Sequence, residues 1–208
     1  MNYADLKTNI EDICENSFTD DQLALFVRQA EQNIYNIVQL PATRRNQTAN
    51  TTSGNRFLSV PPDFLYAFSL AVIDGSGDYY YLLNKDVNFI KEAYPSTAGA
   101  MPKHYAQFDK DSLILGPTPD ANYAVELHYG YYPESIVTAG TTWLGDEFDS
   151  ALLNASLVEA IRFMKGEPDV VQMYEKQYAQ SIALLKNLSD GKMRQDTYRS
   201  GQFRTPVS

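Results

Sequence analysis

The chain has 208 residues, of which 44% are hydrophobic and 21% are charged. This length fits one domain, or a core with a modest inserted subdomain, and the apolar share excludes wholesale disorder. The longest apolar run covers residues 65–73, whereas a membrane helix needs about twenty residues. We therefore expect no membrane association. We also expect no signal peptide, since no basic stretch precedes an apolar one at the start, and the single cysteine, Cys14, excludes an internal disulfide framework.

The charge is negative and unevenly placed. Lys and Arg number 17 against 26 Asp and Glu, which gives a net charge of −9. Residues 191–208 carry +3 of this total and residues 1–190 carry −12. A negative body argues against a general nucleic-acid coat, because it repels phosphates. Tyrosine is abundant at 15 residues, nine of them between positions 79 and 132, and tyrosine suits both half-buried sheet faces and protein interfaces.

Residues 1–40 predict two amphipathic helices. Leu6, Ile10 and Ile13 recur at helical spacing in the first. The second opens with a capping-box sequence, in which Thr19 precedes Gln22 by three residues. An apolar stripe from Leu23 to Val38 follows at the 3.6-residue period, and Pro41 is expected to end the helix.

The middle of the chain predicts a loop and then a β-rich region. Residues 41–55 lack periodicity, so we expect a polar loop there. Residues 56–142 predict a mainly antiparallel β-subdomain, and its expected short helix has Asn84 as its N-cap. The expected strands and that helix are 56–60, 65–73, 78–83, the helix at 85–94, 104–109, 112–116 and 122–132.

The last part of the chain returns to helical periodicity. Residues 143–190 predict two helices, separated at Lys165–Gly166 and closed by Asp190–Gly191. Residues 191–208 have no apolar periodicity, so we expect an extended basic tail. Amphipathic helices at both ends of a β-rich insertion must bury their stripes. The predicted fold is therefore α+β, a four-helix bundle with an inserted β-subdomain.

The sequence offers little for catalysis, cofactors or metals. His104 and His128 fall in predicted strands, but no third ligand stands at a zinc-site spacing. Carboxylates cluster at Asp146, Glu147 and Asp149, where a helix N-terminus explains acidic side chains. We expect no enzyme activity and no cofactor, and we keep a hydrolase using these carboxylates as an alternative.

Two basic features are candidate binding segments. Arg44 and Arg45 lie in the predicted loop, and the tail carries arginines interleaved with aromatic residues. Such a tail could bind single-stranded nucleic acid or dock into an acidic protein groove. We favour protein docking, because the acidic body repels a polyanion, and we keep a nucleic-acid-binding accessory protein as the second alternative. The candidate tail residues are Arg194, Tyr198, Arg199, Phe203 and Arg204.

Several segments together resemble a known family of virion proteins. The sequence is similar to the head-to-tail adaptors of tailed bacteriophages, and among them to the tail tubular protein A family of short-tailed phages. The segments that carry the resemblance are residues 102–105, 113–119, 125–133, 142–153, 159–165, 174–178 and 194–199. No catalytic residue belongs to the pattern.

The resemblance implies a place and a set of partners. It implies a ring of about twelve copies in the neck of the virion, made in the host cytoplasm, that joins the portal to a tail or nozzle protein. DNA would pass through this ring without sequence-specific binding. The tail residues become portal-docking candidates, and the candidate contacts with neighbouring copies or tail proteins are Arg44, Arg45, Tyr79, Tyr81, Tyr129 and Tyr131.

Overall fold

The computed structural model describes residues 1–96 and 98–193, with side chains up to Leu188. The described chain contains seven α-helices and eight β-strands, so the predicted α+β class is confirmed. It divides into two compact units. The helical unit comprises Met1–Ala42 and the chain from Pro133 onward, and the sheet unit is Thr43–Tyr132.

The helical unit has four long and two short helices around one apolar cluster. Side-chain caps start the first two helices: Asn2 accepts from the Asp5 N–H, and Thr19 forms the expected capping box with Gln22. Helix α6 contacts α1, α2 and α7, and all four contribute buried side chains to the cluster. The helices are α1 Tyr3–Cys14, α2 Asp20–Ile37, α4 Ile136–Ala139, α5 Trp143–Glu147, α6 Asp149–Phe163 and α7 Pro168–Met193.

Two expectations about the helices are wrong. Helix α2 ends at Ile37, before the expected stop at Pro41. Helix α7 runs through Asp190–Gly191 to Met193, because one glycine inside a helix costs only about 1 kcal/mol and does not by itself end it. The expected stop at Lys165–Gly166 is confirmed, with Lys165 at φ 56° and the Gly166 N–H donating to the Ile161 carbonyl.

The sheet unit consists of two four-stranded sheets. Sheet A has the strand order β1-β8-β3-β4 and is fully antiparallel, while sheet B has the order β2-β7-β6-β5 with one parallel pair, β5–β6. Apolar side chains from both sheets form one buried cluster. The strands are β1 Arg44–Asn50, β2 Phe57–Ser59, β3 Tyr66–Ile73, β4 Tyr79–Tyr81, β5 Leu83–Asn84, β6 His104–Gln107, β7 Ser112–Gly116 and β8 Ala124–Gly130.

The expectation of a polar loop at 41–55 is wrong, because much of this segment forms a strand. Arg44–Asn50 forms β1, which pairs along its whole length with β8. The strand is almost entirely exposed, as an edge strand can be, so its residues lack the alternation of apolar and polar side chains that identifies a half-buried strand.

A single short helix, α3 (Val87–Ala93), packs on sheet B. Its N-cap is Asp86, which accepts from the Asn88 N–H, and not the expected Asn84, which lies in β5. Ile90 of α3 is buried with Ala106 and Ile114 of sheet B, in a cluster separate from the one between the sheets. Sheet B is therefore covered on both faces.

Candidate interaction surfaces

Three of the predicted contact residues form one network at the start of β1. The Arg45 Nη1 lies 2.6 Å from the Asp63 carboxylate, and the Arg45 guanidinium lies 4.2 Å from the centroid of the Tyr131 ring. The Tyr129 hydroxyl donates to the other oxygen of Asp63 at 3.0 Å. Burial raises the pKa of the Tyr129 phenol, and the hydrogen bond to Asp63 raises it further, so this phenol stays a proton donor.

Tyr129 is not a surface residue. It is 2% exposed and belongs to the core between the sheets, where its ring lies against Phe64. A ring buried inside one chain has almost no area left for a second chain. The expectation that Tyr129 contacts a neighbour is therefore wrong, and its role is to hold Asp63 in place beneath Arg45.

Arg44 lies on the opposite side of β1, within an aromatic cluster on the outer face of sheet A. Its guanidinium is 4.2 Å from the Phe68 ring centroid, a distance at which a cation is attracted to the ring. The Phe68 ring also lies 5.2 Å from Tyr66 and 5.1 Å from His128. Gly130 makes room for this cluster, since a Cβ there would stand 2.6 Å from the Tyr66 ring. The outer face of sheet A therefore carries a cluster of aromatic rings that packs against the Arg44 guanidinium.

Strand β4 presents its tyrosines to solvent at the other edge of sheet A. Tyr79 is 50% exposed and Tyr81 is 64% exposed, and their rings stack with centroids 6.5 Å apart. The Tyr79 hydroxyl donates to Glu126 at 3.2 Å, and the negative charge of Glu126 raises the pKa of Tyr79. Exposed, pre-arranged tyrosines are typical of protein interfaces.

An apolar slot opens between the two sheets beside β1. It has a volume of about 250 Å³ and lies between edge strand β1 of sheet A and edge strand β2 of sheet B. Its walls include Gln47 and Ala49 from β1, Leu58 from β2, Val60 next to β2, and Val125 and Leu127 from β8. Apolar walls open to solvent favour an added apolar or aromatic side chain.

The two histidines lie in different sheets, His104 in β6 of sheet B and His128 in β8 of sheet A, so they are not a pair on neighbouring strands. His104 of β6 shares a 2.8 Å hydrogen bond with the Tyr94 hydroxyl. Burial lowers the pKa of His104, and the charges of Lys85 and Lys103 lower it further. Within the described residues, no group of three or more His, Cys, Asp or Glu is arranged to hold a metal ion.

The match to a family model decides what kind of protein this is. Residues 1–206 match the model of the SU10 adaptor protein family. The chain belongs to that family. No curated protein matches it. The SU10 adaptor family is a family of phage structural proteins, so membership supports a phage adaptor that is a virion component and associates with other virion proteins such as portal and tail. It is also consistent with a role other than catalysis.

The carboxylates considered for a hydrolase lie on the exposed surface of the helical unit. The Asp146, Glu147 and Asp149 side chains are exposed, the first two in α5 and the third at the start of α6. Asp146 and Asp149 stand in the first turns of their helices, where a carboxylate stabilises the helix, and Glu147 is the exposed last residue of α5. None of the described helices combines the length and the apolar character needed to span a membrane.

Part of the candidate surface was predicted from the sequence, and part was not. The tail candidates, Arg194, Tyr198, Arg199, Phe203 and Arg204, lie outside the described residues. Phe68, Asp63 and the slot were not predicted from the sequence as parts of this surface. The apolar run at 65–73 marked Phe68 as a strand residue, but a register shift between Ala67 and Ser69 decides which face it occupies, and apolar patterning does not reveal such a shift.

Proposed function

We propose that this chain is a head-to-tail adaptor. About twelve copies form a ring in the virion neck that joins the portal to a tail or nozzle protein and lines the channel through which DNA leaves. The match of residues 1–206 to the adaptor family carries the proposal. The likeness to tail tubular protein A and the four-helix bundle arrangement of α1, α2, α6 and α7 belong to the same proposal.

The surface of the sheet unit supports contacts between copies. Arg44, Arg45, Tyr79, Tyr81 and Tyr131 all lie in this unit, and Tyr79 and Tyr81 are its most exposed candidate aromatics. Aromatic and arginine side chains are enriched where protein interfaces are tightest. These five residues are the proposed contacts with neighbouring copies or tail proteins.

The C-terminal segment is the proposed portal-docking element. Residues 194–208 carry three arginines against one acid, Asp196, together with Tyr198 and Phe203. A basic segment with aromatic side chains is suited to bind an acidic groove on a partner protein. DNA needs no specific site in this proposal, because the net charge of −9 per copy disfavours phosphate binding.

Truncation after Met193 tests the docking assignment. All described helices and strands end at or before Met193, so we expect the 1–193 variant to fold with an unchanged Tm and to lose at least tenfold in portal affinity, about 1.4 kcal/mol. Portal affinity is measured by titrating the purified portal protein with each variant, with calorimetry or interferometry as the readout.

A full-length variant with Arg194, Arg199 and Arg204 changed to Gln separates charge from chain length. We expect its portal affinity to lie between those of the wild type and the 1–193 variant, and this affinity to depend less on salt than that of the wild type. Full portal affinity in the 1–193 variant would contradict the docking assignment. Binding of single-stranded nucleic acid that falls steeply with salt would instead favour an accessory nucleic-acid role.

A further inference from the structure

Strand β1 leaves half of its backbone hydrogen-bonding groups facing away from sheet A. The Tyr131 N–H donates to the Thr43 carbonyl at 3.0 Å, and the Thr51 N–H donates to the Tyr123 carbonyl at 2.9 Å. Hydrogen-bonded residues alternate along an antiparallel strand. The odd-numbered residues of β1 therefore bond to β8, and the N–H and C=O groups of Thr48 and Asn50 point outward from the edge.

Strand β4 forms the opposite edge of sheet A, and its backbone groups likewise alternate between bonding to the neighbouring strand and facing outward. The Leu82 N–H donates to the Leu70 carbonyl at 2.8 Å, and the Asp74 N–H donates to the Asp78 carbonyl at 3.1 Å. The even-numbered residues of this segment therefore bond to β3. By the same alternation, Tyr79 and Tyr81 direct their N–H and C=O groups away from the sheet.

The outward-facing residues of the two edge strands are in register across sheet A. Asn50 of β1 pairs with Ala124 of β8, Ala124 pairs with Ile73 of β3, and Ile73 pairs with Tyr79 of β4. Thr48 is level in the same way with Tyr81, through Glu126 and Ala71. With four antiparallel strands, β1 and β4 run in opposite directions, so β4 of a second copy placed beside β1 continues the antiparallel pattern in register.

The slot beside β1 fits the side chain that such a pairing would bring. Tyr80 points to the opposite face from Tyr79 and Tyr81, which is the face of sheet A that lines the slot, and it is 46% exposed. An added β4 strand would place this ring at the mouth of the slot formed in part by Gln47 and Ala49. Main-chain hydrogen bonds and a seated side chain are the two components of strand addition.

We propose that β4 of one copy adds as an antiparallel strand to β1 of the next, pairing Tyr79 with Asn50 and Tyr81 with Thr48. The contact is head-to-tail, because β1 and β4 are different surfaces, and repetition by rotation closes a ring. This inference rests on the proposed function, because the strand pairing would be the contact between copies in the proposed ring. The occupant of the β1 edge is a second copy of this chain.

Cysteine cross-linking of the full-length protein tests the pairing. In a Cys14→Ser background, the Asn50→Cys/Tyr79→Cys variant is assembled with the portal protein of the same phage and oxidised. Paired residues on adjacent strands lie within disulfide reach, so we expect covalent oligomers up to the ring size on non-reducing gels. A mixture of the two single variants should give dimers only.

The matched control moves one cysteine along the same face of β1. Asn46 is exposed like Asn50 but lies four residues away, about 13 Å along the strand. The Asn46→Cys/Tyr79→Cys variant should cross-link at least about tenfold less than Asn50→Cys/Tyr79→Cys, because a disulfide needs Cα atoms within about 7 Å. Equal cross-linking of the two variants, or none in either, overturns the strand pairing.

A backbone variant gives a second readout that does not depend on disulfide chemistry. Thr48→Pro removes an N–H that points away from β8, so the fold of one copy keeps its own hydrogen bonds, as edge strands tolerate. We expect an unchanged circular dichroism spectrum and at least tenfold weaker self-association than for Thr48→Ala. Unchanged self-association of Thr48→Pro overturns the pairing.

The outcomes also separate the pairing from the proposed function. Assembly with the portal without the Asn50–Tyr79 cross-link contradicts the strand pairing and leaves the adaptor role standing. Failure of the wild-type chain to bind the portal contradicts the adaptor role. A cross-linked ring that forms without portal binding supports the pairing alone.

Discussion

Glu31 is the buried acid of the helical unit, and its environment sets its titration. It is 3% exposed in α2, and its carboxylate accepts the Ile136 N–H at the start of α4 at 2.8 Å. Burial raises the pKa of Glu31, while the hydrogen bonds from the Ile136 N–H and from Ser135 oppose that shift. The residue thus ties α2 to α4 while the removal of its charge from water costs stability.

Two substitutions of Glu31 distinguish the contribution of its hydrogen-bond acceptor to stability from the contribution of its charge. Glu31→Ala leaves the buried Ile136 N–H without an acceptor, which we expect to lower the free energy of unfolding by about 1–3 kcal/mol. Glu31→Gln keeps an acceptor oxygen without the charge, so we expect it to be at least as stable as the wild type at pH 7. Urea unfolding measures both, and equal losses in the two variants would contradict this account.

The same residue predicts a pH dependence with a definite sign. A carboxyl group whose pKa is higher in the folded than in the unfolded protein binds its proton more tightly when folded. Its cost to stability is therefore full above the folded pKa and disappears as the pH falls through that pKa toward the unfolded value. We expect the stability advantage of Glu31→Gln over the wild type to be largest near pH 7 and to shrink below it. An advantage that does not change with pH would contradict the assigned cause.

Single residues also show what the sequence could and could not predict. Tyr129 lies in the strand expected at 122–132, but a strand prediction does not say which face of the strand another sheet covers. Tyr129 was a candidate contact residue, and the structure places it in the core between the sheets. Glu31 escaped attention because it stands next to an apolar stripe, and its acceptor role depends on Ile136, 105 positions later in the chain.

At the scale of elements, α3 depends on a close approach to sheet B. A Cβ on Gly116 of β7 would lie 2.5 Å from the Tyr94 ring and 3.1 Å from Ile90. Tyr94 is held there on two sides, since its hydroxyl bonds His104 and its carbonyl accepts from Arg56. The ring therefore has little freedom to move away, and glycine is required at this position.

A pair of glycine variants tests this contact. We expect Gly116→Ala to lower the free energy of unfolding by about 1–3 kcal/mol, as overpacked sites do. Gly75 is the matched control, because a Cβ there meets nothing within 4 Å, and the loss of backbone freedom in the unfolded chain is the same for both. Thermal or urea unfolding compares them. Equal stability of the two variants would contradict the close packing of α3.

Elements with strong local signals were predictable and those with weak ones were not. The helices with apolar stripes and capping sequences, such as α2, were found from periodicity. Strand β1 was missed because its pairing with β8 supplies the hydrogen bonds while its side chains stay in solvent. Helices α4 and α5 have four and five residues, which is too short for a 3.6-residue period to emerge.

For the whole molecule, the division into units refines the charge distribution. The sheet unit, 43–132, has seven basic and nine acidic residues, whereas residues 1–42 and 133–193 have seven basic and sixteen acidic residues. The acidity predicted for the body thus lies almost entirely in the helical unit. In the proposed ring, the repulsion of DNA phosphates would therefore come chiefly from the helical unit, and the nearly balanced sheet unit would suit the proposed contacts between copies.

The proposed function requires this chain to form a ring in the phage neck. Electron microscopy of the purified protein mixed with the portal protein of the same phage tests it most directly. We expect a ring of about twelve copies stacked on one face of the portal, with an open central channel. Portal particles without added density, at adaptor concentrations well above those expected in assembly, would contradict the claim.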